Sequence, residues 1–476
     1  MWWTWLACRA ASSNVEPAGC PWGQCAAEPN PDDPVGGVVR ITPDPDLAPA
    51  TLEVRWSGGP YSGQVTAALA GRPLEIPLRG LPVEVPLTVV LTDGVDVHTL
   101  RGLTLDPLPS GFPIAETEGK TDTTWCVDGE SEGGGVWVCV DPSGRPVASA
   151  RHPAGDTVYV GLTLRAGGFA LLGPSDVVVL DPLGRPLRVL TLDTLGGTRR
   201  FVHDHLDHHE LIELAEGRWA GCLAFLTVTT DEIDGERFDA PGILVVDPTT
   251  AEVRWDWQLH GALGDGVTID PTALGYDRPT LIEVPPTDWI HANALVHQRD
   301  AGRETLWLSS RSQDVLLQID VDTDAIAAVL GSGGTFRLVD AAGAPLGPDG
   351  WFYHQHAPAW LDPTTLVLFD NGNVRAGPDG IWSQEPPWSR AYAVRLDGDT
   401  ATRTFTWGSP EPGDPAHFFL ASQGSVRPTA AGRWGITVGD APPEIAELDP
   451  ATGEVAFRAT FAEQPAAYRA TAWTPP

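Results

Sequence analysis

A strand, turn and strand pattern recurs along most of this chain and constrains its fold more than any other feature. Each copy has an apolar run ending in aspartate, a short turn rich in Pro, Gly or Thr, and a second strand-forming run. The copies are VDPSGRPVASA (Asp141), LDPLGRPLRVLTL (Asp181), VDPTTAEVRWDWQL (Asp247), IDVDTDAIAAVL (Asp320), LDGDTATRTFTW (Asp397) and LDPATGEVAFRAT (Asp449). Six copies at roughly blade-sized spacing predict a six-bladed β-propeller over residues 115–476, with structural aspartates in its turns.

The composition supports an all-β fold for the rest of the chain as well. The sequence has 52 Gly and 45 Pro and shows no long stretch with apolar residues at helical spacing. Short alternating runs such as VVRI, TLEVRW and LTVVLT predict a small immunoglobulin- or fibronectin-like β-sandwich over residues 37–110. Residues 1–36 are interpreted as the remnant of a leader followed by a disordered linker.

The charge of the chain limits its partners. Its formal net charge is −33, from 63 acidic and 30 basic residues, so its overall field repels nucleic acid and anionic lipid. No stretch of about 18 apolar residues exists, so no membrane-spanning segment is expected. A single arginine inside a pocket can still bind a small anion, because at short range the local geometry matters more than the negative net charge of the chain.

The cysteines point to an oxidising compartment. Cys20 and Cys25 are close enough to close a small loop, and Cys126 and Cys139 flank a Gly-rich turn between two predicted strands. The alternative is reduced, buried thiols. Cys8 follows an apolar start and is a candidate lipid attachment site, unless that segment is a disordered tail. We therefore expect an exported protein, either periplasmic or a surface lipoprotein of the outer membrane.

Histidines stand at matching places in three of the repeated units. One is the last histidine of the tract HDHLDHHE and precedes ELIEL, one precedes ANALV, and one precedes APAWL; these are His209, His291 and His356. Equivalent positions in a propeller surround one axis, so the three imidazoles are expected to share a site, although each alone is commonly a structural histidine. Whether His208 or His209 faces the axis stays open, and His354 competes with His356.

Two further polar residues join this predicted site. Asn293 lies two residues after His291, on the same face of an extended segment, and Arg311 follows the paired strand. Imidazoles, an amide and a planar guanidinium suit a tetrahedral anion better than a metal ion, because no Cys or carboxylate occupies a comparable position. We therefore expect no metal and no cofactor. His203 and His205 form a possible metal pair, with a solvated loop as the alternative.

Four segments resemble the bacterial arylsulfotransferases that work without the sulfate donor PAPS. They are HHEL with the following EGRW, DWIHANALVH (288–297) with LSSRSQDVLLQID (308–320), HQHAPAWL (354–361) with LFDNGN, and SRAYAVRL with FTWG (389–408). The likeness covers about residues 115–476, and DWIHAN with SSR is its most specific part.

The resemblance implies that a six-bladed propeller moves a sulfuryl group from a phenolic sulfate ester to a phenol in two steps. His356 would be the nucleophile and become transiently sulfated. His209, His291, Asn293 and Arg311 would bind the sulfate oxygens, with His208 and His354 as further candidates for substrate contacts. The partners would be a small aryl sulfate and a phenol.

Two other classes of function fit the same histidines. A metal-dependent propeller hydrolase would use them as ligands and would lose activity on chelation. A propeller without enzymatic activity would bind ligands or partners at the cell surface and keep the histidines for its structure. A chromogenic aryl sulfate with a phenol acceptor, assayed in the presence of EDTA, distinguishes the three.

Overall fold

The computed structural model of the chain describes residues 18–473 with gaps. The positions outside the description are 45, 47–50, 59–60, 70–71, 80, 82–85, 104, 106–107, 133, 198–200, 234–235, 260–287, 289, 301, 378–385, 412, 415, 439–441, 463 and 465–466. The described part is built from strands, with one short 3-10 helix at Pro348–Gly350.

Two four-stranded sheets form the N-terminal part. The first has the order β1-β2-β3-β6, and the second has the order β5-β4-β7-β8. Their strands are β1 (Ala18–Cys20), β2 (Gly23–Pro29), β3 (Gly37–Pro43), β4 (Thr51–Gly58), β5 (Tyr61–Ala68), β6 (Leu74–Leu78), β7 (Leu87–Thr92) and β8 (Val97–Leu103). Ile41 and Ile76 of the first sheet pack in one core with Val54 and Val89 of the second, which makes this part the predicted β-sandwich.

The predicted linker was wrong at residues 18–29, because β1 and β2 lie there and belong to the sandwich. β1 and β2 form a hairpin that Cys20 and Cys25 cross-link. Trp22 in its turn is buried in the sandwich core and donates its indole N–H to Asp93, 2.9 Å away. Burial of one large aromatic ring and a disulfide is enough to order a segment whose composition is typical of a linker.

Six further sheets follow, and they are the blades of a propeller. The first three are β12-β11-β10-β34, β13-β14-β15-β16 and β17-β18-β19-β20. Their strands are β10 (Thr124–Ser131), β11 (Gly134–Val140), β12 (Pro146–Arg151), β13 (Val160–Thr163), β14 (Phe169–Leu172), β15 (Val177–Leu180), β16 (Pro186–Leu190), β17 (His205–Glu213), β18 (Leu223–Ile233), β19 (Glu236–Val246), β20 (Val253–Gln258) and β34 (Ala470–Trp473). The first blade thus takes its innermost strand from the far end of the sequence.

The other three blades are β21-β22-β23-β24, β26-β27-β28-β29 with β25 added at its outer edge, and β30-β31-β32-β33 with β9 added in the same way. Their strands are β9 (Glu116–Gly119), β21 (Ala292–Asp300), β22 (Arg303–Ser310), β23 (Val315–Asp320), β24 (Ile326–Gly331), β25 (Arg337–Val339), β26 (Gln355–Asp362), β27 (Thr365–Asp370), β28 (Arg390–Asp397), β29 (Thr400–Trp407), β30 (Ser425–Pro428), β31 (Trp434–Val438), β32 (Glu444–Leu448) and β33 (Val455–Thr460). The prediction of a six-bladed propeller with a small N-terminal sandwich is confirmed.

The innermost strands form a ring about one axis. β13 lies beside β17, β17 beside β21, β21 beside β26, β26 beside β30 and β30 beside β34. Two pairings close the ring: β9 joins β33 at the outer edge of the last blade, and β34 joins β10 in the first. Because a closed ring leaves no blade unpaired, both ends of the propeller segment are held in the fold.

The burial of the strands reflects where each one lies. All residues of β15 (VVVL) and β27 (TLVLFD) are buried, as expected for central strands covered by neighbouring blades on both faces. β7 of the sandwich instead alternates buried and half-buried residues, because only one of its faces meets the core.

The repeated aspartates hold the turns between the two outer strands of a blade. In five copies the carboxylate accepts backbone N–H groups of its own turn: Asp141, Asp181, Asp247, Asp320 and Asp449. Asp397 ends β28, opposite Thr400 of β29. These bonds satisfy turn donors locally, which is why aspartate recurs there.

The second predicted disulfide is also present. Cys126 of β10 and Cys139 of β11 face each other across the ladder and are bonded, and Cys222 is a buried free thiol beside β18. The sandwich meets the first two blades through Asn30, which donates to the Leu183 carbonyl at 2.8 Å, and through Ser149, which donates to the buried carboxylate of Asp33 at 2.6 Å. We refer to this contact region as the seam.

Candidate functional site

One pocket of about 330 Å³ lies at the end of the propeller axis where the innermost strands begin. Every one of the six blades contributes a residue from the start of its innermost strand or the positions just before it: Tyr159, His209, His291, His356, Gln423 and Tyr468. The structure therefore brings the three histidines of the repeated units together, and Arg311 lines the same pocket. We call it the axial pocket.

A local irregularity in the innermost strand directs each of the three histidines. The strand register shifts between Leu206 and Leu211 around His209, just after His291 between Ala292 and Ala294, and directly after His356. His291 also has a positive φ of 46°, which is uncommon for a residue with a side chain. Bulges and strained backbone of this kind turn side chains out of a ladder, and they are frequent beside functional sites.

His356 is held by a backbone carbonyl. Its Nδ1 lies 2.7 Å from the Gly424 carbonyl oxygen, which can only accept, so Nδ1 carries the proton. Nε2 therefore has the lone pair, and it accepts from the Tyr468 hydroxyl at 2.9 Å. Burial, with the positive charge of Arg469 nearby, lowers the pKa of His356 well below its ordinary value. The ring is thus a neutral imidazole with its nucleophilic nitrogen in the axial pocket.

His209 and His291 have a different partner. Nδ1 of His291 lies 2.5 Å from Asp288, and Nδ1 of His209 contacts Asp207 in the same way. The two rings meet edge to face, with centroids 4.8 Å apart. Burial lowers the pKa of His291, although the Asp288 carboxylate opposes that effect. The Asp288 carboxylate behind the ring favours the imidazolium of His291, whereas Nδ1 of His356 contacts a carbonyl.

The aspartate partners correct one expectation from the sequence, which placed no carboxylate beside these histidines. Asp207 lies two residues before His209, and Asp288 lies three before His291. Both carboxylates also accept the backbone N–H of the histidine that they orient. The sequence signal for these partners is an aspartate shortly before His209 and His291. His356 has no such aspartate, and its ring contacts the Gly424 carbonyl instead.

Arg311 is the cation of the axial pocket. It is 2% exposed, its Nη2 donates to the Ala421 carbonyl at 2.9 Å, and its Nε has no hydrogen-bond partner among the described residues. Burial lowers its pKa to about 10, so it remains charged at neutral pH. A buried guanidinium with spare donors is suited to the oxygens of a bound anion.

The last strand of the ring supplies residues that the histidine repeat could not reveal. Tyr468 precedes β34, and burial raises the pKa of its phenol, so it stays a neutral donor. Asp128 of β10 lines the pocket too, accepts the Tyr468 backbone N–H at 3.0 Å, and has a pKa raised by burial to about 6. Tyr468, in the segment AAYRATAW, can be recognised as a residue of the pocket only when the starts of all six innermost strands are aligned.

Two arginines, Arg469, which is buried, and Arg427, which is half-buried, tie the blades to one another near the pocket. Arg469 contacts Glu210 at 2.7 Å and donates to the His209 carbonyl at 2.6 Å. Arg427 donates to the carbonyl of Ala357, 2.6 Å away, and Ala357 has a positive φ of 45°. The segment that holds the His356 ring through Gly424 therefore also fixes the backbone that follows His356.

Two predicted contacts do not line the axial pocket. Asn293 is fully buried and does not line the axial pocket; its amide donates to the Gln355 carbonyl at 2.8 Å and joins two blades. His354 is also buried outside the pocket, with its backbone N–H and ring directed at Asp314. The side chain of His208 lies outside the described residues, so its contact stays a prediction. Asn293 lies in the bulge between Ala292 and Ala294, where the alternation of strand faces fails, and His354 precedes β26 with a positive φ of 53°.

Several aromatic residues close in sequence to His291 and His356 do not line the axial pocket. Trp351, Phe352 and Tyr353 are buried in the core of the blade that contains β26, and Trp360 packs against Trp307. Trp289 lies outside the described residues. Tyr159, Val158 and Tyr468 form the apolar wall of the axial pocket instead, together with Thr157.

The histidine-rich tract does not form a metal centre in the part that the structure describes. His203 is buried between Asp256, 2.9 Å away, and the Thr227 hydroxyl, and His205 is exposed. Within the described residues, no group of three His, Cys, Asp or Glu side chains is placed to hold a metal ion.

Comparison with known families decides what this propeller is. The model of the family Arylsulfotransferase (ASST) matches residues 150–469, which is more than half of the chain and contains every histidine of the axial pocket. The chain belongs to the arylsulfotransferase family. The resemblance seen in the sequence is thereby confirmed, and the family supports an aryl sulfotransferase enzyme that acts on small aryl substrates.

Known structures resemble this arylsulfotransferase only remotely. The WD40 domain of Neurospora crassa Pan2 has a TM-score of 0.34 at 12% identity, over 73% of this chain and 89% of that one. The Dos1 propeller has a TM-score of 0.34 at 10% identity, over 74% and 72%. The dihydro-heme d1 dehydrogenase NirN has 0.32 at 13% identity, over 90% and 78%. No curated protein matches the sequence.

The described residues contain no helix with the length and apolar character that crossing a bilayer requires.

Proposed function

We propose that this protein transfers a sulfuryl group from an aryl sulfate to a phenol through a covalent intermediate on Nε2 of His356. The observation that carries the proposal is the bond between His356 Nδ1 and the Gly424 carbonyl, which leaves the Nε2 lone pair in the pocket that Arg311 lines. The family match supports the reaction class. The intermediate and the roles of single residues rest on the geometry.

In the first half-reaction the Nε2 lone pair attacks sulfur. The N–S bond forms as the bond between sulfur and the aryl oxygen breaks, and the aryl oxygen leaves with the electron pair. Sulfurylation puts positive charge on the imidazole, and the Nδ1 proton directed at the Gly424 carbonyl stabilises that charge. The Tyr468 hydroxyl must swing away from Nε2 for sulfur to approach, which places this donor beside the transferred group.

Arg311 supplies the electrostatic part of the mechanism. Transfer of a sulfuryl group is expected to resemble loose phosphoryl transfer, in which positioning and stabilisation of the equatorial oxygens dominate. The guanidinium of Arg311 is charged, buried and free of ion pairs among the described residues, so it can neutralise the sulfate. His209 and His291 face the same volume and add hydrogen bonds when protonated.

The two histidine and aspartate pairs handle the protons. An imidazolium at His209 or His291 protonates the leaving phenolate, and the resulting neutral imidazole takes the proton of the incoming phenol in the second half-reaction. The acceptor oxygen then forms its bond to sulfur as the N–S bond breaks, which returns His356 to its starting state. Each turnover consumes no net proton.

The test is an assay with 4-nitrophenyl sulfate as donor and phenol as acceptor, with EDTA present. We expect release of 4-nitrophenol by the wild-type protein and its loss in His356→Ala, and mass spectrometry of a quenched reaction without acceptor should find one sulfuryl group on His356. His297→Ala is the matched control, because His297 pairs with Glu304 outside the axial pocket. Equal release by wild type and His356→Ala, or an adduct on His354, would contradict the proposal.

We further propose that the protein is exported to an oxidising compartment, as periplasmic or surface lipoprotein. The disulfides Cys20–Cys25 and Cys126–Cys139 support this location. Cys8, which lies outside the described residues, is the proposed lipid attachment site. Incorporation of labelled fatty acid by the wild type but not by Cys8→Ser would support the anchor, and incorporation by both would disprove it.

A further inference from the structure

A second, larger pocket lies at the seam between the sandwich and the propeller. Its volume is about 480 Å³. The sandwich contributes Trp56, Val65 and Arg79, and the propeller contributes Val147, Pro182 and Trp473. None of these residues lines the axial pocket, so this seam pocket is separate from the proposed reaction.

Arg79 is the cation of the seam pocket, and none of the described carboxylates lies close enough to it for an ion pair. Its Nη2 donates to the Pro182 carbonyl at 3.1 Å, and its guanidinium stacks 4.7 Å from the Phe169 ring. Its Nη1 has no hydrogen-bond partner among the described residues, and the carboxylate that acts on it electrostatically is the buried Asp33 of the seam. Arg185 nearby, by contrast, is paired with both Asp181 and Glu75.

The absence of a partner is informative because of the charge of the chain. With 63 acidic residues against 30 basic ones, carboxylates are plentiful, yet none covers this guanidinium among the described residues. Arg311 of the axial pocket has the same pattern: one bond to a backbone carbonyl, one nitrogen without a partner, and a pKa lowered by burial. A partly desolvated guanidinium that has no carboxylate partner is stabilised when it binds an external anion.

The other walls of the seam pocket are flat and apolar. Trp56 lies against Gly63 of the neighbouring strand so closely that a Cβ there would come within 2.3 Å of the indole. Glycine at this position therefore lets the ring lie flat on the sheet. Trp473 adds a second indole, whose N–H has no hydrogen-bond partner in the part of the chain that the structure describes. Two indoles and aliphatic side chains suit a planar aromatic ligand.

We propose that the seam pocket binds a small planar aromatic anion, with one or two rings and a single carboxylate, sulfonate or sulfate group. The rings lie against Trp56 and Trp473, and the anionic group takes hydrogen bonds from Arg79. The pocket contains no histidine, cysteine or carboxylate side chain in its lining, so it holds its ligand without reacting with it. The proposal concerns binding and does not rest on the sulfotransferase reaction.

Calorimetric titration with naphthalene-2-sulfonate tests it, because the carbon-bound sulfonate cannot be transferred. The Arg311→Met protein is used as background, so that the anion site of the axial pocket is weakened and the seam pocket is measured alone. We expect one ligand per chain, about tenfold weaker binding in Arg79→Gln and no change in Arg101→Gln, which removes an exposed arginine of the same sandwich.

Because Arg79 also contacts Pro182 and Phe169, its replacement can loosen the seam. Trp56→Leu is the second variant, because Trp56 does not make the contacts with Pro182 and Phe169 that Arg79 makes. Loss of the indole face is expected to weaken binding of the sulfonate. Naphthalene-2-carboxylate should bind comparably, whereas neutral 2-naphthol should bind more weakly and not respond to Arg79→Gln. The proposal is overturned if the sulfonate does not bind, or if Arg79→Gln and Trp56→Leu both bind it as the background protein does.

Discussion

The axial pocket and the seam pocket each contain an arginine without an ion-pair partner among the described carboxylates, buried in the first and half-buried in the second, and they differ in almost everything else. The axial pocket surrounds Arg311 with three imidazoles, two phenols and two carboxylates. The seam pocket surrounds Arg79 with indoles and aliphatic side chains. The arginine is the proposed anion contact in both pockets, and imidazole side chains line the axial pocket alone. The comparison separates what binds an anion from what makes it react.

The largest effect is expected from Arg311→Met. Removing a buried cation that faces the transferred group should lower kcat/KM for an aryl sulfate by about 10²–10³-fold, as loss of a transition-state donor does elsewhere. Ligand binding in the seam pocket should not change. If the sulfotransferase activity persists within a few fold, anion binding at Arg311 is not part of the reaction, and the likeness between the two arginines has no functional meaning.

The next effect concerns the carboxylate behind an imidazole. In Asp288→Asn the amide orients His291 but no longer stabilises its imidazolium, so the pKa of His291 falls further. We expect kcat to drop by about 10–100-fold, and the limb of the pH profile that reports His291 should move to lower pH. Asp204→Asn, an exposed aspartate in the histidine-rich tract, is the control. An unchanged pH profile would show that His291 does not exchange protons.

A smaller effect is expected at Arg427, a positioning residue that touches the Ala357 carbonyl and no pocket atom. Arg427→Met should let the backbone after His356 relax, which lowers kcat about tenfold while KM stays nearly constant. Arg427→Lys should recover part of the loss. Equal changes in kcat and KM in steady-state kinetics would indicate a binding role and contradict this assignment.

The smallest effect on activity, and a measurable one on stability, is expected at the seam. Burial raises the pKa of Asp33 to about 6, so the folded protein holds this proton more tightly than the unfolded chain does. The contribution of Asp33 to the free energy of unfolding therefore falls as pH rises from about 4 to about 6, by roughly 1–3 kcal/mol. Asp33→Asn should remove that dependence in urea unfolding and leave sulfuryl transfer unchanged.

The control for this measurement is Asp46→Asn, because Asp46 is an exposed aspartate of the same sandwich. Asparagine can still accept from Ser149 at position 33, so the seam should keep its hydrogen bond. A pH dependence that survives in Asp33→Asn would place the titrating group elsewhere in the protein.

The repeat revealed the fold and the main histidines because both depend on local pattern. An apolar run ending in aspartate sets a turn wherever it occurs, and equivalent positions in six blades must surround one axis. Asn293 was misplaced because it lies in a bulge, which shifts side chains off the alternation from which a strand face is predicted. His354 lies just before β26 with a positive φ, a backbone conformation that no local sequence pattern indicated. Tyr468 was missed because its place in the pocket depends on β34 joining the first blade, a pairing that no local pattern specifies.

The strand that closes the ring ties the axial pocket to the integrity of the whole propeller. Residues 468–473 supply the hydroxyl at His356, the arginine that contacts Glu210 and the innermost strand of the first blade. A chain truncated before residue 468 keeps His209, His291 and His356 but has neither the Tyr468 hydroxyl nor the innermost strand of its first blade. The proposed sulfuryl transfer therefore reports on whether the propeller ring is closed.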